Sequence, residues 1–540
     1  MAHARATLFV ATALMLVLSS ALSPATPSQD SPPVHRQLSS SLADAPSLRL
    51  QFTLKRTSMN VYGQSEFYVF ANPVVSSDNT SVLYDGHAAF TNNGTEYTFL
   101  LVDGIAYYVA SPAEDNSASE TARCLDASTI PPLNAIVEAL NNVTTISSVS
   151  ASDETIKCSS GKLFKVSFGG ADFALCASGA SGFTIYGSDL DIAVEYLEEP
   201  VEISAPTLDA GAAAACETVI TPTSATATTQ ALLTGGTISS DTRRKLKAEA
   251  DVTLSSSSCS CSSTPRPCVF FRGMGSTTED TTLQTTSDYW GDIEEHAPCC
   301  SSFSYAVLNT VDYAWTDAAQ QEKVCNLALA ASSTSSTTSR VVADTIVVTH
   351  SMGGLMVAGA LANASCSFAS STTWISMSPP MGGSMSSDYQ QGACSGSNVF
   401  LEAIATLIGR CPATTASKSL AYEGESYSTT SLDNAYEAAQ EAYRSNVDAA
   451  VCSDNYSGLL STDQLVYKLA GSVIPHKSSE NDGIVEYQSC AGGLSASKFG
   501  NTYDDTFYLT GLNHADTTFR HGDALVVNSQ KPVKWFECLL

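Results

Sequence analysis

Residues Asp344-Thr345-Ile346-Val347-Val348-Thr349-His350-Ser351-Met352-Gly353-Gly354-Leu355 join a β-branched strand to an apolar helix through an abrupt turn of small residues, and the turn carries one serine. Ile346 to Val348 read as a buried strand, while Leu355, Met356, Ala358, Leu361 and Ala362 fall on one side of a helix. A serine at such a bend has its hydroxyl lifted off the sheet edge, and the first amide of the following helix points at whatever that hydroxyl attacks. The chemistry this placement suits is nucleophilic attack by Ser351. A hydroxyl is a weak nucleophile until a base takes its proton, so a histidine and a carboxylate that orients it must come from elsewhere in the chain. The plain alternative is a Ser-rich loop capping a buried helix.

The string His350-Ser351-Met352-Gly353-Gly354 resembles the nucleophile elbow of α/β-hydrolases in the form common among lipases and esterases, with Thr349 where glycine is usual. In that family the partners follow in the order serine, acid, histidine, each on a loop just after a strand. By this resemblance Asp482, within Glu480-Asn481-Asp482-Gly483-Ile484-Val485, is the acid. The base is His514, on the loop Gly511 to Asp516 that follows the strand-like run Thr506 to Thr510. His521, seven residues on, is the rival. His296 and His476 precede the expected position, and His350 is expected to point away from its neighbour Ser351. The stretch Val269 to Ser276 resembles the lipase loop that holds the oxyanion, with Arg272 in place of the usual histidine. The resemblance then implies that the backbone amides of Met274 and Met352 form the oxyanion hole. It covers residues 265–540, about half the chain.

These residues need a framework. From Cys268 onward strands and helices alternate as in a doubly wound α/β sheet, with the elbow near its centre. A stretch at about 382–470, rich in Tyr, Ala and Glu, is too long for a simple connection and is expected to form a helical cap over the site. The first half reads differently. Leu48, Leu50, Phe52 and Leu54 alternate with Arg49, Gln51, Thr53 and Lys55, the pattern of a half-buried strand. Asn93-Gly94, Asp103-Gly104 and Gly169-Gly170 mark hairpin turns. One helix is expected after Pro131-Pro132, with Leu133, Ile136, Val137 and Leu140 on its apolar stripe. Residues 47–206 therefore predict a smaller antiparallel β-rich (α+β) domain packed on a helix and stapled by Cys124, Cys158 and Cys176. Its lone histidine, His87, is expected to be structural. Residues 207–265, rich in Ala, Thr and Ser with almost no aromatics, predict a linker without a core of its own. That segment holds the basic cluster Arg243-Arg244-Lys245-Leu246-Lys247, either a solvated charge run or a processing site that frees the C-terminal half.

At 540 residues the chain has room for two or three domains. Met1 to Arg5 is basic, Ala6 to Leu22 apolar, and the residues that follow are small, so 1–23 predict a secretory signal peptide. No later stretch is long and apolar enough for a membrane span. Sixteen cysteines, and sequons at Asn79, Asn93, Asn142, Asn363 and Asn455, point to an oxidising, extracellular compartment. The Cys259-Ser260-Cys261 and Cys299-Cys300 pairs lack the histidines and spacing of a zinc site and are expected to be disulfides, so no metal and no cofactor are expected. A net charge of −28 argues against nucleic acid and against docking on anionic lipid. Taken together, residues 266–540 are expected to form a hydrolase-type α/β domain that cleaves carboxylic esters, lipid esters among them, through an acyl-enzyme. The alternatives are a non-catalytic secreted binding or adhesion protein on the same scaffold, or an acyltransferase with the same triad. Oligomeric state is left open.

Overall fold

A computed structural model describes residues 41–540 apart from 93, 113–120, 126, 128–133, 152–155, 157, 159–161, 210–212, 214–215, 239–251, 397–403 and 462. The expected signal segment and the Arg243–Lys247 cluster lie outside the described residues. Among those described, twelve strands form one sheet in the first half of the chain. Ser47–Leu54 runs through its middle, antiparallel to Glu66–Val75 on one side and to Leu190–Leu197 on the other, so that Leu50 faces Val69 and Val194. Two of the expected turns, Asp103-Gly104 and Gly169-Gly170, join neighbouring strands, while Asn93 of the third lies outside the described residues. At Asp103-Gly104 and Gly169-Gly170 both residues have positive φ, as a two-residue hairpin turn requires.

Two helices cover this sheet. Asn134–Asn141 buries Val137 and Leu140, but Ile136 is 42% exposed, because the helix begins later than Pro131-Pro132 suggested and the stripe is narrower. Leu133 lies outside the described residues. The second helix, Ala227–Thr234, falls in the stretch expected to be an unfolded linker. Thr226 caps its N-terminus, Gly235 closes its C-terminus in the left-handed region, and Leu232 and Leu233 enter the core of the antiparallel sheet. Thr223–Ser224 pairs with the Ser81–Asn92 strand, and Val252–Leu254 runs parallel to Val149–Ala151. Composition averaged over sixty residues concealed a capped helix of eight that needs only a sheet to pack on.

In the second half, seven parallel strands form one sheet. Their spatial order is Cys300–Ala306, Arg266–Phe271, Ile346–His350, Thr373–Met377, Ala449–Ser453, Phe507–Thr510 and Phe499–Gly500. Strand residues alternate between two cores. Val269, Phe271 and Val347 meet the helices Ala318–Ala330, Met352–Ala362 and Thr430–Asn446; Cys268, Phe270, Ile346 and Val348 meet Pro532–Cys538. Both faces are thus covered, as a parallel sheet demands. The chain reverses its direction of winding between Arg266–Phe271 and Ile346–His350. Ligand crevices in open α/β sheets form beyond the strand ends at such a reversal, and Ser351 stands there.

The expected cap at 382–470 is not one insertion. Ala449–Ser453 within it is an interior strand, and Thr430–Asn446 buries Tyr436, Ala439 and Tyr443 in the same core as Met352–Ala362. The run Ala449-Ala450-Val451-Cys452 escaped notice because alanine is a poor strand former and a strand buried on both faces shows no alternation. Outside the sheet layers remain Met385–Cys394, Ala405–Ile408 and Gln464–Val473, whose Met385, Tyr389, Ile408 and Ala470 share a small core with Ile404 and Ile474, whereas Ala416 of Thr415–Lys418 joins the core of Met352–Ala362.

The two sheets are tied by buried charges. Arg56, beyond the Ser47–Leu54 strand, lies 2.6 Å from Glu537 and 3.5 Å from Asp523; Asp189 lies 2.5 Å from both Lys531 and Lys534. All six side chains are nearly inaccessible. Burial alone would raise the Asp189 carboxyl, but the two lysines hold it below the usual range. Asp523 also receives the Ser58 hydroxyl at 2.8 Å, and its amide donates to the Ser58 carbonyl. All sixteen cysteines pair: 124–216, 158–176, 259–538, 261–299, 268–300, 325–366, 394–411 and 452–490, leaving none free. No helix among the described residues is long and apolar enough to cross a membrane.

Arg56→Met strands two buried carboxylates and should destabilise the protein by about 3–5 kcal/mol in denaturant titration. For the same reason, after cleavage at a protease site engineered behind Lys247, the two pieces should co-elute in gel filtration, and Arg56→Met should loosen that association. On the Met385–Cys394 helix, burial pushes the Asp388 carboxyl up to about 6, with Glu425 and Glu486 adding repulsion. Its folded value exceeds its unfolded one, so its contribution is fully present below the unfolded value and is lost as pH rises through about 6. Asp388→Asn, neutral at every pH, should therefore melt above wild type at pH 8, with the gap closing toward pH 4.

Candidate active site

Ser351 adopts φ 56° and ψ −132°, a backbone conformation that non-glycine residues rarely hold without support. The support comes from close packing on every side. The Ser351 amide donates to the Met377 carbonyl at 2.9 Å, and the helix Met352–Ala362 starts at the next residue. A Cβ on Gly353 would stand 2.5 Å from the Phe271 carbonyl oxygen, and one on Gly354 would stand 2.7 Å from the Pro379 side chain. These two glycines let the helix start lie against the sheet. Thr349, where the resemblance leads one to expect glycine, stays inside the strand. It is fully buried, and its Oγ1 accepts from the Trp374 indole at 3.0 Å.

Three segments converge on the serine. The Ser351 hydroxyl donates to His514 Nε2 at 2.9 Å, and His514 Nδ1–H donates to Asp482 Oδ2 at 2.7 Å. That proton assignment follows from the carboxylate, which can only accept. The other oxygen of Asp482 accepts the amides of Ile484 at 2.9 Å and Val485 at 2.7 Å, so both oxygens are engaged at 2% exposure. The His514 amide in turn donates to the Asp482 carbonyl. His521, the rival base, is engaged elsewhere: its Nδ1 donates to Asp516 at 2.6 Å and its Nε2 faces Asp463 at 3.7 Å. Asp516 also accepts the Leu459 amide and the Asn513 side chain, which braces the loop that carries His514.

Sequence reasoning set His350 aside, and the structure gives it a place. The Tyr289 hydroxyl donates to its Nδ1 at 2.6 Å, and its Nε2–H donates to the His514 carbonyl at 3.0 Å. Burial, then the neighbouring charges of His514, Arg520 and Arg272, hold its pKa well below the ordinary histidine value, so it stays neutral and can serve both bonds. Its position directly before the serine was the available signal. Nothing local pointed to Tyr289, sixty-one residues upstream.

The loop after Arg266–Phe271 closes the other side. A Cβ on Gly273 would lie 2.7 Å from Ser351 Cβ and 3.1 Å from its Oγ, so bare backbone presses on the serine here. Thr310 pins the loop at two points, donating to the Gly273 carbonyl and accepting the Ser276 amide, both at 3.1 Å. Met274 follows Gly273 on this loop. The Met352 amide heads its helix and has no acceptor within it. Among the described residues no group of three or more His, Cys, Asp or Glu could hold a metal ion.

No family model matches the chain, and no curated protein does. Among solved structures, the mature form of the Bacillus licheniformis lipase BlEst2 aligns over 48% of this chain and 89% of its own, at 16% identity and a TM-score of 0.32. The Staphylococcus hyicus lipase aligns over 51% of this chain and 95% of its own, at 12% identity and a TM-score of 0.27. Likenesses of this size carry no argument, and the chemistry rests on the geometry around Ser351.

Gly273→Ala should lower any activity of Ser351 by about 100-fold or more, because a displacement near 1 Å at the reacting atom is enough for that. Its melting temperature should stay within a few degrees of wild type. Turnover kinetics beside a thermal melt check both.

Proposed function

We propose that this protein is a secreted serine hydrolase of the α/β-hydrolase fold that cleaves carboxylic esters, lipid esters among them, through an acyl-enzyme. The observation that supports it most is the continuous chain Ser351–His514–Asp482 at 2.9 and 2.7 Å, with the serine at φ 56°. Ser351 Oγ attacks the ester carbonyl carbon while His514 Nε2 takes its proton. The amides of Met274 and Met352 hold the oxyanion, and His514 passes the proton to the departing alcohol. Water, deprotonated by the same nitrogen, then attacks the acyl-enzyme; the acyl carbon–Oγ bond breaks, Ser351 Oγ takes the proton back from His514, and the acid leaves. Asp482 keeps the imidazole in the tautomer that both steps need. Partly buried Met274 suits an apolar acyl chain, whereas Met352 is packed in the core. Eight disulfides and the basic-apolar start of the sequence support export. The antiparallel sheet and the parallel sheet are read as two domains, the first supporting the second.

A fluorophosphonate probe should label wild type at Ser351 and leave Ser351→Ala unlabelled. Ser351→Ala and His514→Ala should each lose about 10⁴–10⁶-fold in ester turnover, and Asp482→Asn somewhat less, with losses that do not add. Full esterase activity in Ser351→Ala ends the reading; loss in His521→Ala with His514→Ala still active moves the base.

A further inference from the structure

Two arginines stack on the Tyr289 ring, whose hydroxyl bonds the histidine next to the serine, with little to neutralise them. Arg272 directly follows the Arg266–Phe271 strand and immediately precedes Gly273, the residue pressed on Ser351. Among the described residues no carboxylate comes within 4.0 Å of its guanidinium, although the chain carries 54 acidic residues to 26 basic ones. Its Nε is buried without a hydrogen-bond partner, while the side chain as a whole is only half-buried. What holds it is the Tyr289 ring, with Cζ 4.5 Å from the centroid. Arg520, on the loop that carries His514, stacks on the same ring at 4.9 Å. Among the described residues the one carboxylate within 4.0 Å of it, Asp463, is 3.8 Å away and also faces His521.

The shared ring is part of the site. A Cβ on Gly273 would lie 3.3 Å from the Tyr289 hydroxyl and 3.1 Å from Ser351 Oγ. An aromatic face attracts a cation but does not cancel its charge, and a guanidinium's fork of donors matches the two oxygens of a carboxylate or phosphate. Two cations on one ring, one of them with no anion, leave a positive field next to the nucleophile that an incoming anion would complete. The depressed basicity of the buried His350, to which both arginines contribute after burial and His514, agrees with that field.

We propose that Arg272, backed by Arg520, binds an anionic group, carboxylate or phosphate, carried by the ester close to its scissile bond. This rests on the hydrolase reading and names the substrate class of that site: anionic esters rather than neutral ones. Arg272 meets the anion directly, and Arg520 strengthens the field from behind Tyr289.

The test compares matched esters. On the acyl side, 4-nitrophenyl hydrogen glutarate is set against 4-nitrophenyl methyl glutarate; on the alcohol side, 4-acetoxybenzoate against its methyl ester. Wild type should prefer the anionic member of at least one pair by about 10–100-fold in kcat/KM, the worth of a hydrogen bond to a charged group. Which pair responds shows on which side of the bond the anion sits. Arg272→Met, which keeps a long side chain on Tyr289, should erase the preference chiefly by raising KM for the anionic ester. Arg49→Gln, a remote exposed cation, should leave it intact. Free glutarate should inhibit hydrolysis of the neutral ester by wild type, and less so in Arg520→Met, a readout that stands even where Arg272→Met does not fold. No preference in either pair, or equal kcat losses for both members in Arg272→Met, overturns the proposal while leaving the hydrolase reading in place. Esterase activity that persists in Ser351→Ala overturns the reading itself.

Discussion

A serine held at φ 56° is a local strain of about 1–3 kcal/mol that no short segment would keep by itself. It persists because the Ile346–His350 strand is hydrogen-bonded on both sides and the following helix is buried all round, so neither end of the turn can relax. The three glycines at 273, 353 and 354 are the places where backbone must come close for that to work. Strain at Ser351 and the bare backbone of Gly273 go together: the loop can press on the buried serine because glycine has no side chain to hold it away.

The second requirement is electrostatic. Asp482 is buried, and a buried carboxylate is tolerable only when its oxygens are satisfied. Two amides of its own loop and the His514 imidazole do so, which locks the acid and points the imidazole in the same stroke. From the other side His350, fed by Tyr289, holds the carbonyl of His514. His514 is thus gripped by its ring, its amide and its carbonyl. An imidazole fixed from three directions has little freedom to reorient.

That grip reaches into the antiparallel sheet. The loop after His514 runs on to Asp523, whose carboxylate meets Arg56 and Ser58, and a Cβ on Gly522 would overlap the Ser58 carbonyl oxygen. Buried ion pairs gain little over apolar packing but lose heavily when one partner is withdrawn, so they favour one docking geometry over others. The N-terminal sheet is therefore packed, through Arg56 and Ser58, against the segment that follows His514.

Much of this was legible locally. Alternation in Ser47–Leu54, glycine pairs at hairpin turns and the strand-serine-helix run are all written in residues that touch along the chain, where backbone geometry fixes the periodicity. The candidate serine, acid and histidine could be named because each sits in a short pattern of its own. What the chain did not disclose is what those residues meet: 163 residues separate Ser351 from His514, and 481 separate Arg56 from Glu537. His521 and His514 are alike as neighbours of a strand; only packing sends one to Asp516 and the other to the serine. The Ala449–Ser453 strand and the Ala227–Thr234 helix have weak local preferences and owe their form to the burial that the rest of the fold offers them. Arg272 likewise reads as an exposed substitution in a loop until Tyr289 and Arg520 close around it. Short-range sterics decide where the chain turns, whereas burial of charge and apolar surface decides which turns come together, and that second decision belongs to the whole molecule.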